Sequence, residues 1–198
     1  MTLQVRKLFM TDNYGPIEVA DRLQIQDVIF RWCRGIDRLD FSAIRSCFHP
    51  DAFDDHIFYR GDIDGLVNCL KERHRSITFS SHAASNILIE FVSPTSAIVE
   101  TYVRVIQRRA IDPPTEYDSS ISEVYCRYVD QFSKVDAQWR ISRRTLLTDT
   151  AMEYSDREPL HRIPPIQSAN RGRRGPTDTL YRQRAEMGLA GSVTLPEG

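Results

Sequence analysis

Four long segments of β-type sequence follow one another between residues 77 and 150, and they strongly limit the possible folds. They lie at 77–92, 97–109, 121–132 and 138–150, and each mixes β-branched or aromatic residues with polar ones. The connections are the turn "SPTS", a loop with two prolines and the hairpin turn "SKVDA". Consecutive strands with such connections pair antiparallel, so this half of the chain predicts a curved antiparallel sheet.

The first 76 residues are mainly helical in pattern. Pro16 suits the first position of a helix, and apolar residues recur at helical spacing from Ile17 to Ile36. We expect this helix to end at 35–37, a second to follow the N-cap Asp40, and a third to be capped by Asp64. The segment "YRGDIDG" (59–65) reads as a turn. Helices at one end and a sheet at the other predict an α+β domain.

The composition divides the chain into three parts. We expect a loose N-terminal arm at 1–15, one domain at 16–154, and an extended C-terminal tail at 155–198 that is rich in Pro, Gly and Arg. The tail is expected to pack across the domain or a neighbouring subunit. A disordered tail and a nucleic-acid-binding arm remain as alternatives, the second because of an arginine cluster at Arg171, Arg173, Arg174, Arg182 and Arg184.

Charge and cysteine content narrow the class of protein. The 198 residues carry a net charge of -1, which gives no reason to expect nucleic acid or an anionic membrane as partner. No apolar run approaches the roughly 20 residues that span a bilayer, and the N-terminus lacks a signal-peptide pattern. The four cysteines are scattered without a CxxC pair, which is typical of buried, reduced thiols and a cytoplasmic protein.

The stretch "DAFDDHIF" (51–58) has the apolar residues of a short strand but three ionisable side chains in its middle. Alternation along a strand places Asp54 and His56 on one face and Asp55 on the other. An acid and an imidazole on an inward face suggest a catalytic role in proton transfer. A structural hydrogen-bond cluster, a solvent-facing edge strand and a metal site are the alternatives.

Several strings in a fixed order resemble the SnoaL-like family of the nuclear-transport-factor-like superfamily. They are "LQIQDVIFRW" (23–32), "GIDRLDFSAIRSCFHPDA" (35–52), "SSHAASNILIEFV" (80–92) and "YVDQFSKVDAQWRISRR" (128–144). The resemblance is to the branch of scytalone dehydratase, lindane dehydrochlorinase and bile-acid dehydratase. It implies an α+β barrel in which a cone-shaped sheet and the N-terminal helices enclose a deep apolar pocket.

The resemblance also implies catalytic residues. Its members use an Asp–His dyad, and the matching positions here are Asp37 in "GIDR" and His82 in "SHAASN". The family implies neither a cofactor nor a metal. The alternatives are a turn residue for Asp37 and a hydrogen-bonded core histidine for His82. Asp54 and His56 fall at pocket positions that are apolar or aromatic in the dehydrochlorinase branch, so we expect a more polar pocket and add both to the catalytic candidates.

Other pocket candidates follow from strand alternation and helical spacing. Trp32 is expected to stack on an aromatic ring, Tyr128 to donate a hydrogen bond, and Arg144 to bind an anionic or phenolate group. Val103 and Val124 are expected in the pocket wall. Core packing for Trp32 and Tyr128 and a surface position for Arg144 are the alternatives. The remaining histidines, which are His49, His74 and His161, are interpreted as surface or capping residues.

Together these features predict a cofactor-independent lyase. Its substrate is expected to be a hydrophobic, hydroxylated small molecule. The tail string "RGRRGPTDTLYR" (171–182) resembles the ending of bacterial family members that act on aromatic compounds, and this resemblance implies a lignin-derived diaryl compound as the favoured class. The reaction is either dehydration or carbon–carbon cleavage with release of formaldehyde. The alternatives are an isomerase or a polyketide-type cyclase, and a non-catalytic module like the small subunits of dioxygenases. The resemblance further implies a homo-oligomer, either a trimer or a dimer.

Overall fold

The computed structural model describes residues 14–110, 119–155 and 172–189. Its helices are α1 (Pro16–Arg38), α2 (Phe41–Ser46), α3 (Ile63–Arg73) and α4 (Thr179–Glu186), and one 3₁₀ turn lies at His74–Ser76. Its strands are β1 (Phe48–His56), β2 (Tyr59–Asp62), β3 (Ile77–Ser93), β4 (Ser96–Ala110), β5 (Ser119–Val135) and β6 (Gln138–Ser155).

The six strands form one curved, unclosed sheet in the order β2-β1-β6-β5-β4-β3. The four long strands pair antiparallel as predicted, and β5 and β6 meet in a hairpin whose turn residues Asp136 and Ala137 have positive φ angles. One pairing differs from the prediction, because β1 runs parallel to β6. The α+β class with N-terminal helices against a cone-type sheet is confirmed.

Helix α1 covers the concave side of the sheet and ends beside the candidate site. Proline stands at its first turn, and its buried stripe includes Ile25, Ile29 and Trp32. At its end α2 packs very closely: a Cβ on Gly35 would lie 2.9 Å from Ile44 Cγ1. The missing side chain at Gly35 therefore lets the two helices meet, and this contact holds the last turn of α1 in place.

Two local predictions were wrong. The N-cap of α3 is Asp62, whose Oδ1 accepts a 2.7 Å hydrogen bond from the Gly65 amide, and not Asp64. The segment interpreted as a turn contains β2, which pairs antiparallel with β1. Residues 59–62 form a strand because pairing with β1 overrides the local turn propensity, and α3 begins directly after it, two residues earlier than predicted.

Part of the predicted tail packs on the domain. The Gly175 amide donates to the Arg38 carbonyl at 2.8 Å, and the buried Tyr181 hydroxyl lies 3.1 Å from Asp40 Oδ2. This stretch includes α4, which its sequence pattern did not indicate. Most of the predicted arm, and the tail at 156–171 and 190–198, lie outside the described residues. Among the helices described, none is both long enough and apolar enough to cross a membrane.

Candidate active site

A cavity of about 280 Å³ opens between the helices and the concave face of the sheet. Its apolar wall is formed by Trp32, Ile36, Ile57, Phe58, Leu70, Val105, Val124, Cys126 and Leu146. Its polar lining consists of His56, Arg73, His74, His82, Gln107, Tyr128 and Thr148. A mostly apolar cavity with a few converging polar groups is the usual form of a small-molecule site.

Asp37 and His82 form a pair as the resemblance implied, and of the two only His82 lines this cavity. His82 Nδ1 lies 2.7 Å from Asp37 Oδ1, and the backbone amide of His82 donates to Asp37 Oδ2 at 2.9 Å. Ser80 adds a hydroxyl donor to Oδ1 at 2.9 Å. An ionised carboxylate only accepts, so Nδ1 carries the proton and Nε2 is the basic nitrogen. No described residue hydrogen-bonds to Nε2, so this nitrogen is available for a proton from a ligand.

The two residues come from different elements that the fold brings together. Asp37 lies in the last turn of α1, and His82 lies near the start of β3, 45 positions later. Burial alone would raise the pKa of Asp37. The hydrogen bonds from His82 and Ser80 outweigh this effect, so the pKa lies below its ordinary value of 3.8. Asp37 is therefore a carboxylate at neutral pH and can stabilise an imidazolium at His82.

The lowered pKa of Asp37 makes a prediction about stability. Asp37 binds protons less readily in the folded protein than in the unfolded chain, so its contribution is complete above about pH 5 and is lost as the pH falls towards 3. We expect the wild type to exceed Asp37→Asn in free energy of unfolding at pH 7, and the difference to shrink at pH 3. Urea unfolding at pH 7, 5 and 3 measures it. A difference that stays constant with pH would contradict the assignment.

A second Asp–His pair lies on β1. His56 Nδ1 is hydrogen-bonded to Asp54 Oδ1, and both side chains are almost completely buried. His56 lines the cavity and packs near Trp32, with 5.8 Å between ring centroids. Asp54 stands behind it and does not line the cavity. Strand alternation thus placed these residues correctly on one inward face.

Arg144 and Val103 are not where they were predicted. Arg144 is fully buried behind Tyr128, and its guanidinium forms two hydrogen bonds with Asp130, at 2.8 and 2.6 Å. The Asp130 carboxylate raises the pKa of Arg144 although burial opposes this, so the arginine stays charged. Val103 belongs to the core and not to the cavity wall. Both residues lie on the concave face of the sheet, as predicted, but this face extends beyond the cavity. Arg144 and Val103 occupy its deeper part, which belongs to the core.

His74 is the C-cap of α3, as the capping interpretation had it, but it is not a surface residue. It is buried and lines the cavity. His49 is also buried, and its Nε2 lies 3.0 Å from the Ser133 carbonyl, outside the cavity lining. His161 lies outside the described residues. The sequence reasoning also missed Arg73 and Gln107, for which one signal existed: Gln107 follows Val103 and Val105 on the same alternating face of β4.

The other predicted cavity residues are in place. Trp32, Val124 and Tyr128 line the cavity. Burial raises the pKa of Tyr128 well above 10, so its hydroxyl stays protonated and can donate. Burial likewise raises the pKa of Cys126 to about 11, so this cavity thiol is not a nucleophile at neutral pH.

A metal site was one alternative for the Asp54–His56 strand. Within residues 14–110, 119–155 and 172–189, no three His, Cys, Asp or Glu side chains are grouped so that they could hold a metal ion. The two pairs instead stand as separate Asp–His units.

Comparison with known proteins places the chain in a family. The model of the SnoaL-like domain matches residues 18–145, which include every residue of both Asp–His pairs. The chain belongs to the SnoaL-like domain family. No curated protein sequence matches it at a significant level.

Solved structures with the same fold include enzymes. A candidate scytalone dehydratase from Novosphingobium aromaticivorans is 25% identical with a TM-score of 0.61, and the match covers 77% of this chain and 97% of the other. The hexachlorocyclohexane dehydrochlorinase LinA type 3 from Novosphingobium barchaimii is 20% identical with a TM-score of 0.60, covering 75% and 98%. A LinA type 2 structure is 17% identical with a TM-score of 0.63, covering 75% and 97%.

These similarities support a coarse functional class. The SnoaL-like domain and its dehydratase-like neighbour support an enzyme of the dehydratase, lyase or isomerase type. The dehydrochlorinase structures show the shared fold. The reaction and the substrate of this chain have to be inferred from the geometry of its own site.

Proposed function

We propose that this SnoaL-like protein is a lyase that eliminates water from a hydroxylated, mainly apolar small molecule. The observation that carries the proposal is the Asp37–His82 pair at a mostly apolar cavity, with the basic nitrogen of His82 unoccupied by any described residue. A neutral histidine oriented by a carboxylate is a suitable general base near pH 7. No cofactor is part of the proposed reaction.

His56 is the proposed general acid. Asp54 on β1 and Asp130 on β5 are two buried acids on either side of β6, and Arg144 of β6 forms direct hydrogen bonds only with Asp130. A protonated His56 balances Asp54 in the same way and holds a proton at the cavity wall. The leaving hydroxyl takes this proton and departs as water. His82 accepts the proton from the neighbouring carbon, whose electron pair forms the double bond.

The favoured substrate class is a diaryl compound with a benzylic hydroxyl and a neighbouring hydroxymethyl group. Trp32, Phe58 and Tyr128 provide aromatic surface for such rings. In this version water first leaves the benzylic carbon. His82 then removes the proton of the hydroxymethyl oxygen, the carbon–carbon bond breaks, formaldehyde leaves, and the electron pair of that bond completes the new double bond. The products are an alkene, water and formaldehyde.

Product mass tests the proposal. Purified wild type and His82→Ala are incubated with diaryl propanediols and simpler benzylic alcohols, with mass spectrometry of the products and a separate formaldehyde assay. We expect loss of water, or of water plus formaldehyde, in the wild type. Asn86→Ala changes an exposed residue of the same strand and is the matched control, with full activity expected.

Other outcomes would replace this proposal. Turnover at unchanged mass would identify an isomerase or cyclase on the same scaffold. Binding of panel members without any turnover would favour the non-catalytic module. A homo-oligomer and a cytoplasmic location remain predictions, which light scattering and cell fractionation would test.

A further inference from the structure

Arg174, in the C-terminal segment described at 172–189, packs against elements that border the cavity and does not line the cavity itself. Arg174 donates hydrogen bonds to three backbone carbonyls: those of Ile36 at 2.9 Å, Asp37 at 3.0 Å and Ile77 at 2.8 Å. The first two belong to the last turn of α1, where carbonyls have no partner within the helix. Arg174 thus joins the end of α1 to the start of β3, next to the Asp37–His82 pair.

The same guanidinium also determines the state of a histidine. Arg174 Nη2 lies 2.8 Å from His74 Nδ1. A guanidinium can only donate, and it stays charged in proteins, so His74 Nδ1 must be the acceptor. A neutral imidazole that accepts at Nδ1 carries its proton at Nε2. Burial and the charge of Arg174 lower the pKa of His74 to about 3, which agrees with a neutral ring.

His74 is placed to use that proton. Its ring lines the same cavity as His56 and His82, and only 6% of the residue is exposed. No residue within the described ranges accepts a hydrogen bond from His74 Nε2. The described buried polar atoms that lack a partner do not include His74 Nε2, so this N–H is open to the cavity and not sealed in the core. A bound molecule with an oxygen atom would supply the acceptor.

We propose that His74 is a substrate-binding residue, a neutral imidazole that Arg174 fixes as the Nε2–H tautomer and that donates a hydrogen bond to an oxygen of the bound molecule. The acceptor class is a carbonyl, ether, hydroxyl or phenolate oxygen. The inference rests on the proposed function only for the statement that this molecule is the substrate. A donor that keeps its proton stabilises charge on oxygen without competing with His56 for proton transfer.

Nitrogen-15 NMR of the histidine rings tests the tautomer in the full chain without any substrate. We expect the His74 ring at neutral pH to have a protonated Nε2 and an unprotonated Nδ1. His49 shares this pattern, because its Nε2 donates to the Ser133 carbonyl, so the His74 signals are identified as those missing in His74→Phe, or in His74→Gln if the first variant does not fold. In Arg174→Met we expect His74 no longer to be held in the Nε2–H form, so that its ring populates both neutral tautomers. Arg38→Met is the control, because Arg38 faces the same segment through Asp178 and makes no hydrogen bond to His74. A His74 ring protonated at Nδ1, or at both nitrogens, would overturn the proposal.

A matched ligand pair tests the donor role. Acetophenone and α-methylstyrene have nearly the same shape, but only the ketone has an oxygen acceptor. We expect the wild type to bind the ketone about tenfold more tightly, with a shift of the His74 Nε2 signal, and the preference to drop by about tenfold in His74→Phe. Asp37→Asn should keep the preference although it loses elimination activity. Equal preference in wild type and His74→Phe, or no binding of either ligand, would overturn the donor role.

This pair also separates the two proposals. A ketone preference that depends on His74, in a protein that shows no elimination with any compound, would leave His74 as a binding residue and refute the lyase. Elimination activity without a ketone preference that depends on His74 would support the lyase and refute the donor role of His74.

Discussion

Asp37→Asn is expected to lower kcat for elimination on the order of 10²–10⁴-fold while changing KM much less. In the wild type the carboxylate accepts from His82 Nδ1 at 2.7 Å, so Nε2 is left as the base. An asparagine can turn its amide N–H₂ towards Nδ1 and donate. His82 would then carry its proton on Nε2, where the base has to be free. The substitution therefore preserves the shape of the site and inverts its proton arrangement.

The measurement is steady-state kinetics on whichever compound of the panel turns over. Asp64→Asn is the matched control, because Asp64 is an exposed aspartate paired with Arg45 on the outside of the helices. It should retain wild-type kinetics. Ser80→Ala removes only one of the donors to Asp37 and is expected to reduce kcat much less than Asp37→Asn does. If Asp37→Asn were as active as Asp64→Asn, the dyad would have no part in the reaction.

Asp130→Ala is expected to lower the free energy of unfolding by about 3–5 kcal/mol. Asp130 and Arg144 have completely buried side chains and share two hydrogen bonds. Without the carboxylate, a guanidinium stays buried between the rings of Trp32 and Tyr128, which lie 4.6 and 4.0 Å from its central carbon. Aromatic faces compensate only part of a lost ion pair. The uncompensated part of the lost ion pair lowers the free energy of unfolding.

Urea unfolding measures this effect, and two further variants identify its cause. The double variant Asp130→Leu/Arg144→Met removes both charges and is expected to be clearly more stable than Asp130→Ala, since no unpaired charge remains. Asp149→Ala breaks an exposed pair with Arg127 on the same two strands, and little change is expected. A double variant no more stable than Asp130→Ala would show that the cost comes from lost packing and not from the unpaired charge.

The sequence predicted the parts of the site that obey local periodicity or a family pattern. Strand alternation placed Asp54 and His56 together, and the strings around Asp37 and His82 implied the dyad. Local patterns say nothing about contacts between distant positions. Arg144 was predicted at the cavity because its face of β6 is right, but only the pairing of β5 with β6 shows that Asp130 takes its charge. His74 has no local signal, because its partner Arg174 lies 100 positions away.

The contact of Arg174 with the end of α1 has a consequence for the order of events during synthesis. The carbonyls of Ile36 and Asp37 leave the ribosome long before the arginine that binds them, 138 and 137 positions later. A nascent chain can therefore complete its helices and its whole sheet while the cavity still lacks one of its fixed donors. Until residues 172–189 have emerged and docked, Arg174 can neither join the end of α1 to β3 nor fix the tautomer of His74.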